Sequence, residues 1–137
     1  MKKYLLLALI ALVAAACSKE ETEKSTFDYP MEALYGTWRI THIKQKDGTM
    51  LDVTTARAEK YFKPTYAKFR SDGTYVGIGQ FGDGVADYKA KGKTITCYID
   101  GAEYLRFDII SLVGGIAEME MYIEKGGKPY RIRCEKQ

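Results

Sequence analysis

The chain has 137 residues, enough for one domain and too few for two. Its 46% hydrophobic and 28% charged content, with only 3 Pro, is that of a folded globular domain and excludes a disordered chain. Lys and Arg number 21 against 18 Asp and Glu, and the resulting +3 falls to +1 once Lys2 and Lys3 are set aside with the leader argued below, so the balance speaks against a nucleic-acid partner.

The chain opens on Met1-Lys2-Lys3, followed by an uncharged, mostly Leu/Ala/Val/Ile run from Tyr4 to Ala16. Such a run partitions into a bilayer while the lysines stay on the cytoplasmic side. As a helix it rises about 20 Å, short of the roughly 30 Å hydrocarbon core, so residues 1–16 read as a secretory signal peptide and not as a permanent span. The run closes on Ala14-Ala15-Ala16 and then Cys17, at the boundary with strongly polar sequence. Small residues suit a peptidase that needs an uncrowded backbone, and the cysteine offers a thiol to acylate. This resembles a bacterial lipobox, with Ala14 where that motif usually carries a bulkier aliphatic residue. The next residues, Ser18-Lys19-Glu20-Glu21, are similar to the export signal of Bacteroidetes-type surface lipoproteins. The resemblance implies lipid attachment at Cys17, an outer-membrane location and display at the cell surface; the several acyl chains of such a cysteine meet the two-chain requirement for stable anchoring.

Residues 17–29 contain little to bury and are expected to form a flexible tether, leaving 30–137 as the folded domain. A mature domain of about 120 residues hides roughly two thirds of its unfolded surface, so it can build a core without metals or many crosslinks. Pro30 to Tyr35 can form one short helical turn, with Pro at its start and Gly36 at its end.

From Gly36 the dominant signal is period two. Trp38, Ile40 and His42 alternate with Arg39, Thr41 and Ile43; Ile95, Cys97 and Ile99 with Thr94, Thr96 and Tyr98; Ala117, Met119, Met121 and Ile123 with Glu118, Glu120 and Tyr122; Tyr130, Ile132 and Cys134 with Arg131 and Arg133. Each run puts one face in a core and one in water. Asp47-Gly48, Asp72-Gly73, Asp83-Gly84, Lys91-Gly92, Asp100-Gly101, Gly114-Gly115 and Gly126-Gly127 punctuate them with hairpin chemistry. Strands this closely spaced leave no room for crossover helices and must be antiparallel neighbours. One helix is predicted between the first long strands, from Thr55 to Phe62, stopped by Pro64. The expected fold is all-β, an antiparallel up-and-down meander of about eight strands, which leaves a choice between a closed barrel and a two-sheet sandwich; the barrel is the expectation, since closure removes exposed edges.

Gly36-Thr37-Trp38 after a short helical turn resembles the G-x-W signature of lipocalins. Phe69-Arg70-Ser71-Asp72-Gly73-Thr74-Tyr75 is similar to a hairpin of the lipocalin-like domains of Bacteroides-type lipoproteins. The resemblance implies an eight-stranded barrel with a ligand cavity. It also implies an arginine of the last strand, Arg131 or Arg133, over Trp38; both arginines alternate with apolar residues, so solvent is their other destination.

Whether the interior is hollow turns on the hairpin at Asp72-Gly73. A three-residue loop, Ser71 to Gly73, pairs Phe69 with Tyr75 and turns Tyr75, Gly77, Gly79 and Phe81 inward. A two-residue loop instead sends Val76 and Ile78 inward. In the first case two glycines leave space walled by Tyr75, Phe81, Phe107, Met119, Met121 and Tyr130, suited to a small hydrophobic ligand; the same side chains can also simply pack together.

Catalytic chemistry finds little support. His42 is the only histidine, and no nucleophile elbow, paired His ligands or CxxC accompanies it. Gly77-Ile78-Gly79-Gln80-Phe81-Gly82 spells GxGxxG but sits in strand-type sequence, with no helix to meet a phosphate. Asp83 and Asp87 lack the spaced oxygen ligands of a calcium loop. No enzyme activity, cofactor or metal is expected. Cys97 and Cys134 lie on apolar phases and are either buried thiols or, in an oxidising envelope, a disulfide. Two functions remain: a surface lipoprotein holding a small hydrophobic ligand, or a filled barrel working through its outer surface as an interaction or inhibitor module with an envelope protein.

Overall fold

A computed structural model describes residues 26–137. The leader, Cys17 and Ser18 to Glu21 lie outside the described residues. The body contains α1 (Met31–Leu34), β1 (Gly36–Lys44), β2 (Met50–Asp52), α2 (Ala56–Glu59), β3 (Tyr66–Phe69), β4 (Thr74–Ile78), β5 (Gly84–Lys91), β6 (Thr94–Ile99), β7 (Ala102–Val113), β8 (Ile116–Tyr122) and β9 (Tyr130–Lys136). All pairings between strands are antiparallel and run in chain order from β3 to β9; β1 joins β3 on one side and β9 on the other, closing the barrel. β2 is not a separate stave. It pairs with the far half of β1, His42 to Lys44, on the side where β3 takes the near half, Gly36 to Arg39. Eight strands therefore make the wall, with β2 as a short flap above β3.

The helix expected from Thr55 to Phe62 is shorter, Ala56–Glu59, followed by a turn. The Thr55 hydroxyl accepts from the Ala58 N–H at 3.1 Å and caps its start, and Arg39 ties Glu59 to the wall at 3.0 Å. The body also starts earlier than expected. Phe27, assigned to the tether by composition, is buried and bridges to Gly92, with Asp28 N–H donating to the Gly92 carbonyl at 2.8 Å. One phenylalanine in a polar stretch is enough to pin this segment to the barrel: Phe27 enters the core and Tyr29 packs partly against it, while Thr26 and Asp28 stay exposed.

Period two breaks where strands bulge. Ile40 faces Cys134 and His42 faces Arg133, so Thr41 is the extra residue between them. It is buried in the bend, its hydroxyl donating to the Arg133 carbonyl at 3.2 Å, and the phase then flips: Ile43 packs on the core and His42, expected on the apolar face, is only half-buried. Tyr104 and Ile110 are the surplus residues of two further irregularities in β7.

The strand order fixes two ends. The β3–β4, β5–β6 and β7–β8 turns share one end with α1 and Phe27, where the chain joins the barrel. The β4–β5, β6–β7 and β8–β9 connections share the other, with α2 and the residues leading into β3. Between them Phe69, Tyr75, Tyr88 and Phe107 form an aromatic floor: Phe69 lies 5.4 Å from Tyr75, 5.2 Å from Tyr88 and 5.9 Å from Phe107, centroid to centroid.

Candidate apolar cup

Below the aromatic floor the barrel is full. Trp38 is 1% exposed and its indole N–H donates to the Leu34 carbonyl at 2.8 Å, so α1 is bolted across this end by a buried hydrogen bond. Leu34, Trp38, Phe69, Ile109, Leu112, Ala117 and Met119 leave a void of only about 10 Å³. Met119, expected to line a ligand cavity, packs here instead. The cation over the Trp38 ring is Lys136, 5.3 Å from the centroid, and neither predicted arginine. Arg131 and Arg133 share the outer face of β9: Arg131 pairs with Glu118 at 3.2 Å. The Lys136 chain passes over Gly36, 3.5 Å from where a Cβ would sit, which is ordinary contact; it is the φ of +127° that calls for glycine there.

Above the floor the wall encloses a cavity of about 50 Å³. The β3–β4 hairpin decides its lining. The Arg70 carbonyl accepts from the Gly73 N–H at 3.2 Å and Gly73 has φ +88°, giving the three-residue loop that pairs Phe69 with Tyr75. Tyr75 and Gly77 thus face inward, with Val76 on the outward phase and Ile78 52% exposed. Of the residues expected from the sequence, Tyr75, Gly77, Phe81, Phe107 and Met121 line the cavity. Gly77 does not leave the space anticipated for a ligand. A Cβ there would sit 2.7 Å from the Tyr75 hydroxyl, so the missing side chain accommodates the phenol of the neighbour two residues earlier.

Gly79 and Tyr130 are not in the lining. Gly79, at φ +123°, brings the backbone against Pro64 and Thr65: a Cβ would fall 2.5 Å from the Pro64 carbonyl oxygen. It thereby anchors the β4–β5 loop, whose Gln80 N–H donates to the Thr65 hydroxyl at 2.9 Å. The Asp83-Gly84 turn is served by Gly82 (φ +93°), while Gly84 begins β5. Tyr130 is 46% exposed and lies outside the cup, its ring 5.6 Å from Phe81; Phe62 also meets Phe81, at 5.7 Å, so three aromatics hold the loop at the mouth. The GxGxxG run is the end of β4 plus this loop, and no helix follows it.

The lining missed by the sequence includes Ile40, Thr65, Ala67, Ile123, Ile132 and Cys134. No side chain in the wall is acidic or basic. Burial drives the Tyr75 phenol well above its ordinary range. Cys97 and Cys134 are free and buried, and burial pushes both thiols up to about 12. His42 lies outside the cup, its ring Nδ1 2.9 Å from the Thr41 hydroxyl. Such a site can bury an apolar group; it offers no charged group for bond-breaking.

No family profile and no curated protein matches the sequence. Among solved structures, a lipocalin-like protein from Bacteroides uniformis superposes with a TM-score of 0.50 at 16% identity, over 77% of this chain and 99% of that one. At that identity the likeness speaks for the fold: an antiparallel, lipocalin-like closed barrel.

Proposed function

We propose that this chain is a lipoprotein of the outer membrane, anchored through Cys17 and displayed at the cell surface, whose barrel holds a small hydrophobic ligand non-covalently. The leader, Cys17 and the Ser18 to Glu21 segment support the anchor. The observation carrying the binding reading is the uncharged cup of about 50 Å³ at one end of an otherwise filled, closed barrel. It is small against the roughly 300–1,000 Å³ of a drug-sized site, so it takes a small molecule or one end of a longer one.

The test is uptake and displacement of a hydrophobic fluorescent dye. Ile123→Trp, at a half-buried lining position, is expected to weaken uptake at least tenfold while the far-ultraviolet spectrum stays that of the wild type. Equal uptake by both proteins, or none by either, would overturn this reading. The second reading, a barrel acting through its outer surface on an envelope protein, is favoured by the shortage of internal space: Tyr75 occupies what Gly77 vacates, while Val85 stands 64% exposed on β5, outside the cup. Absence of dye uptake together with a stoichiometric cross-link from Val85→Cys to one envelope protein would establish it.

A further inference from the structure

Three phenols line the cup, Tyr66, Tyr75 and Tyr104, and only Tyr75 is buried. Tyr75 is 5% exposed, with its ring held against Phe69 and Phe107 at 5.4 and 6.2 Å. Its hydroxyl reaches the cavity wall beside Gly77. The neighbouring phenol of Tyr88 donates to the Arg70 carbonyl at 2.6 Å, whereas the Tyr75 hydroxyl has no hydrogen-bond partner among the described residues. The other polar group deep in the wall is already satisfied: the Thr65 hydroxyl donates to the Lys63 carbonyl at 2.7 Å and accepts from Gln80. Ile40, Ala67, Phe107, Met121, Ile132 and Cys134 complete an apolar surround.

We propose that Tyr75 determines the specificity of the cup, selecting neutral molecules that lead with a single hydrogen-bond acceptor, such as the carbonyl end of an alkyl chain. The inference rests on the ligand-binding reading above and adds the polarity of what is bound. The hydroxyl faces the cavity with no partner from the protein, so an occupant that covers it with hydrocarbon strips it of water at a cost, whereas one that sets an acceptor against it replaces that hydrogen bond. Burial keeps the phenol protonated throughout the physiological range, so it remains a donor. A carboxylate of the same length is disfavoured, because no cation lines the cavity to balance an ionised group taken out of water. The space sets the size. At roughly 10–15 Å³ per water-sized occupant, the 50 Å³ cavity admits the leading few atoms and leaves the remainder against Phe81, Tyr66 and Tyr104.

Binding of 2-hexanone, hexane and hexanoate to the full chain at pH 8, followed by ligand-observed NMR, tests this. Tyr75→Phe preserves the ring and removes only the hydroxyl. It is expected to weaken 2-hexanone about two- to tenfold while leaving hexane unchanged or slightly tighter, with hexanoate at least tenfold weaker than the ketone in the wild type. The carbonyl 13C resonance of bound 2-hexanone should move downfield in the wild type and not in Tyr75→Phe. A ketone-to-hexane ratio unaffected by the substitution, or hexanoate binding as tightly as the ketone, would overturn the role of Tyr75 while leaving hydrophobic binding intact. Failure of all three probes to bind would remove the ligand-binding reading and this one with it.

Discussion

Cys97 and Cys134 stand on the inward phases of β6 and β9, and the apolar interior disfavours their thiolates. Both ionise near 9 when exposed and near 12 in the barrel. The linkage has a definite sign. Below pH 9 both states keep their protons and the neutral thiols contribute fully; between about 9 and 12 the unfolded chain sheds protons that the folded one retains, so stability falls as pH rises. Each thiol contributes a slope of at most about 1.4 kcal/mol per pH unit in that window. The melting temperature is expected to hold from pH 6 to 8.5 and drop above 9, more gently in Cys97→Ala than in the wild type; parallel curves would show that the thiol is not the cause. Gly79 makes a separate demand on the chain. Gly79→Ala forces a Cβ to 2.5 Å from the Pro64 carbonyl oxygen at a φ of +123°, and is expected to cost about 2 kcal/mol or more in chemical denaturation. A loss under about 0.5 kcal/mol would mean that the β4–β5 loop simply moves aside.

Trp38 links α1 to β1, through Leu34, and the last strand to both, through Lys136. Trp38→Ala is expected to destabilise by about 3–5 kcal/mol, since it deletes a buried ring and leaves the Leu34 carbonyl unpaired. Lys136→Ala should cost only about 0.5–1 kcal/mol yet shift the Trp38 emission, whereas Arg131→Ala and Arg133→Ala leave that emission unchanged. An emission shift in either arginine variant would contradict the assignment of the cation. The strands themselves were legible, because alternation and glycine turns are local properties of the chain. The bulges at Thr41, Tyr104 and Ile110 were not: an extra residue is defined by what the partner strand offers opposite it. The cup was half legible for a related reason. Period two says that Met119 and Met121 both point inward, but it does not say how high each stands along the barrel axis. Height follows from the stagger between strands, which is a property of the closed wall; one methionine therefore fills the plugged end and the other lines the cup.

The whole barrel is polar in the geometric sense: the chain arrives at one end and the cup opens at the other. Acylation of Cys17 would place the lipid about ten residues before Phe27, a reach of at most about 35 Å from the Gly92 turn. With the full acylated chain in vesicles, a fluorophore on Lys93→Cys, in that turn, should be quenched by brominated lipid, and one on Lys125→Cys, in the β8–β9 connection, should not. Equal quenching at both positions would show that the molecule lies on its side. Were the molecule held stem-down in this way, its rim would face the surroundings, and cargo would be loaded from the medium or a neighbouring molecule rather than drawn up out of the bilayer beneath.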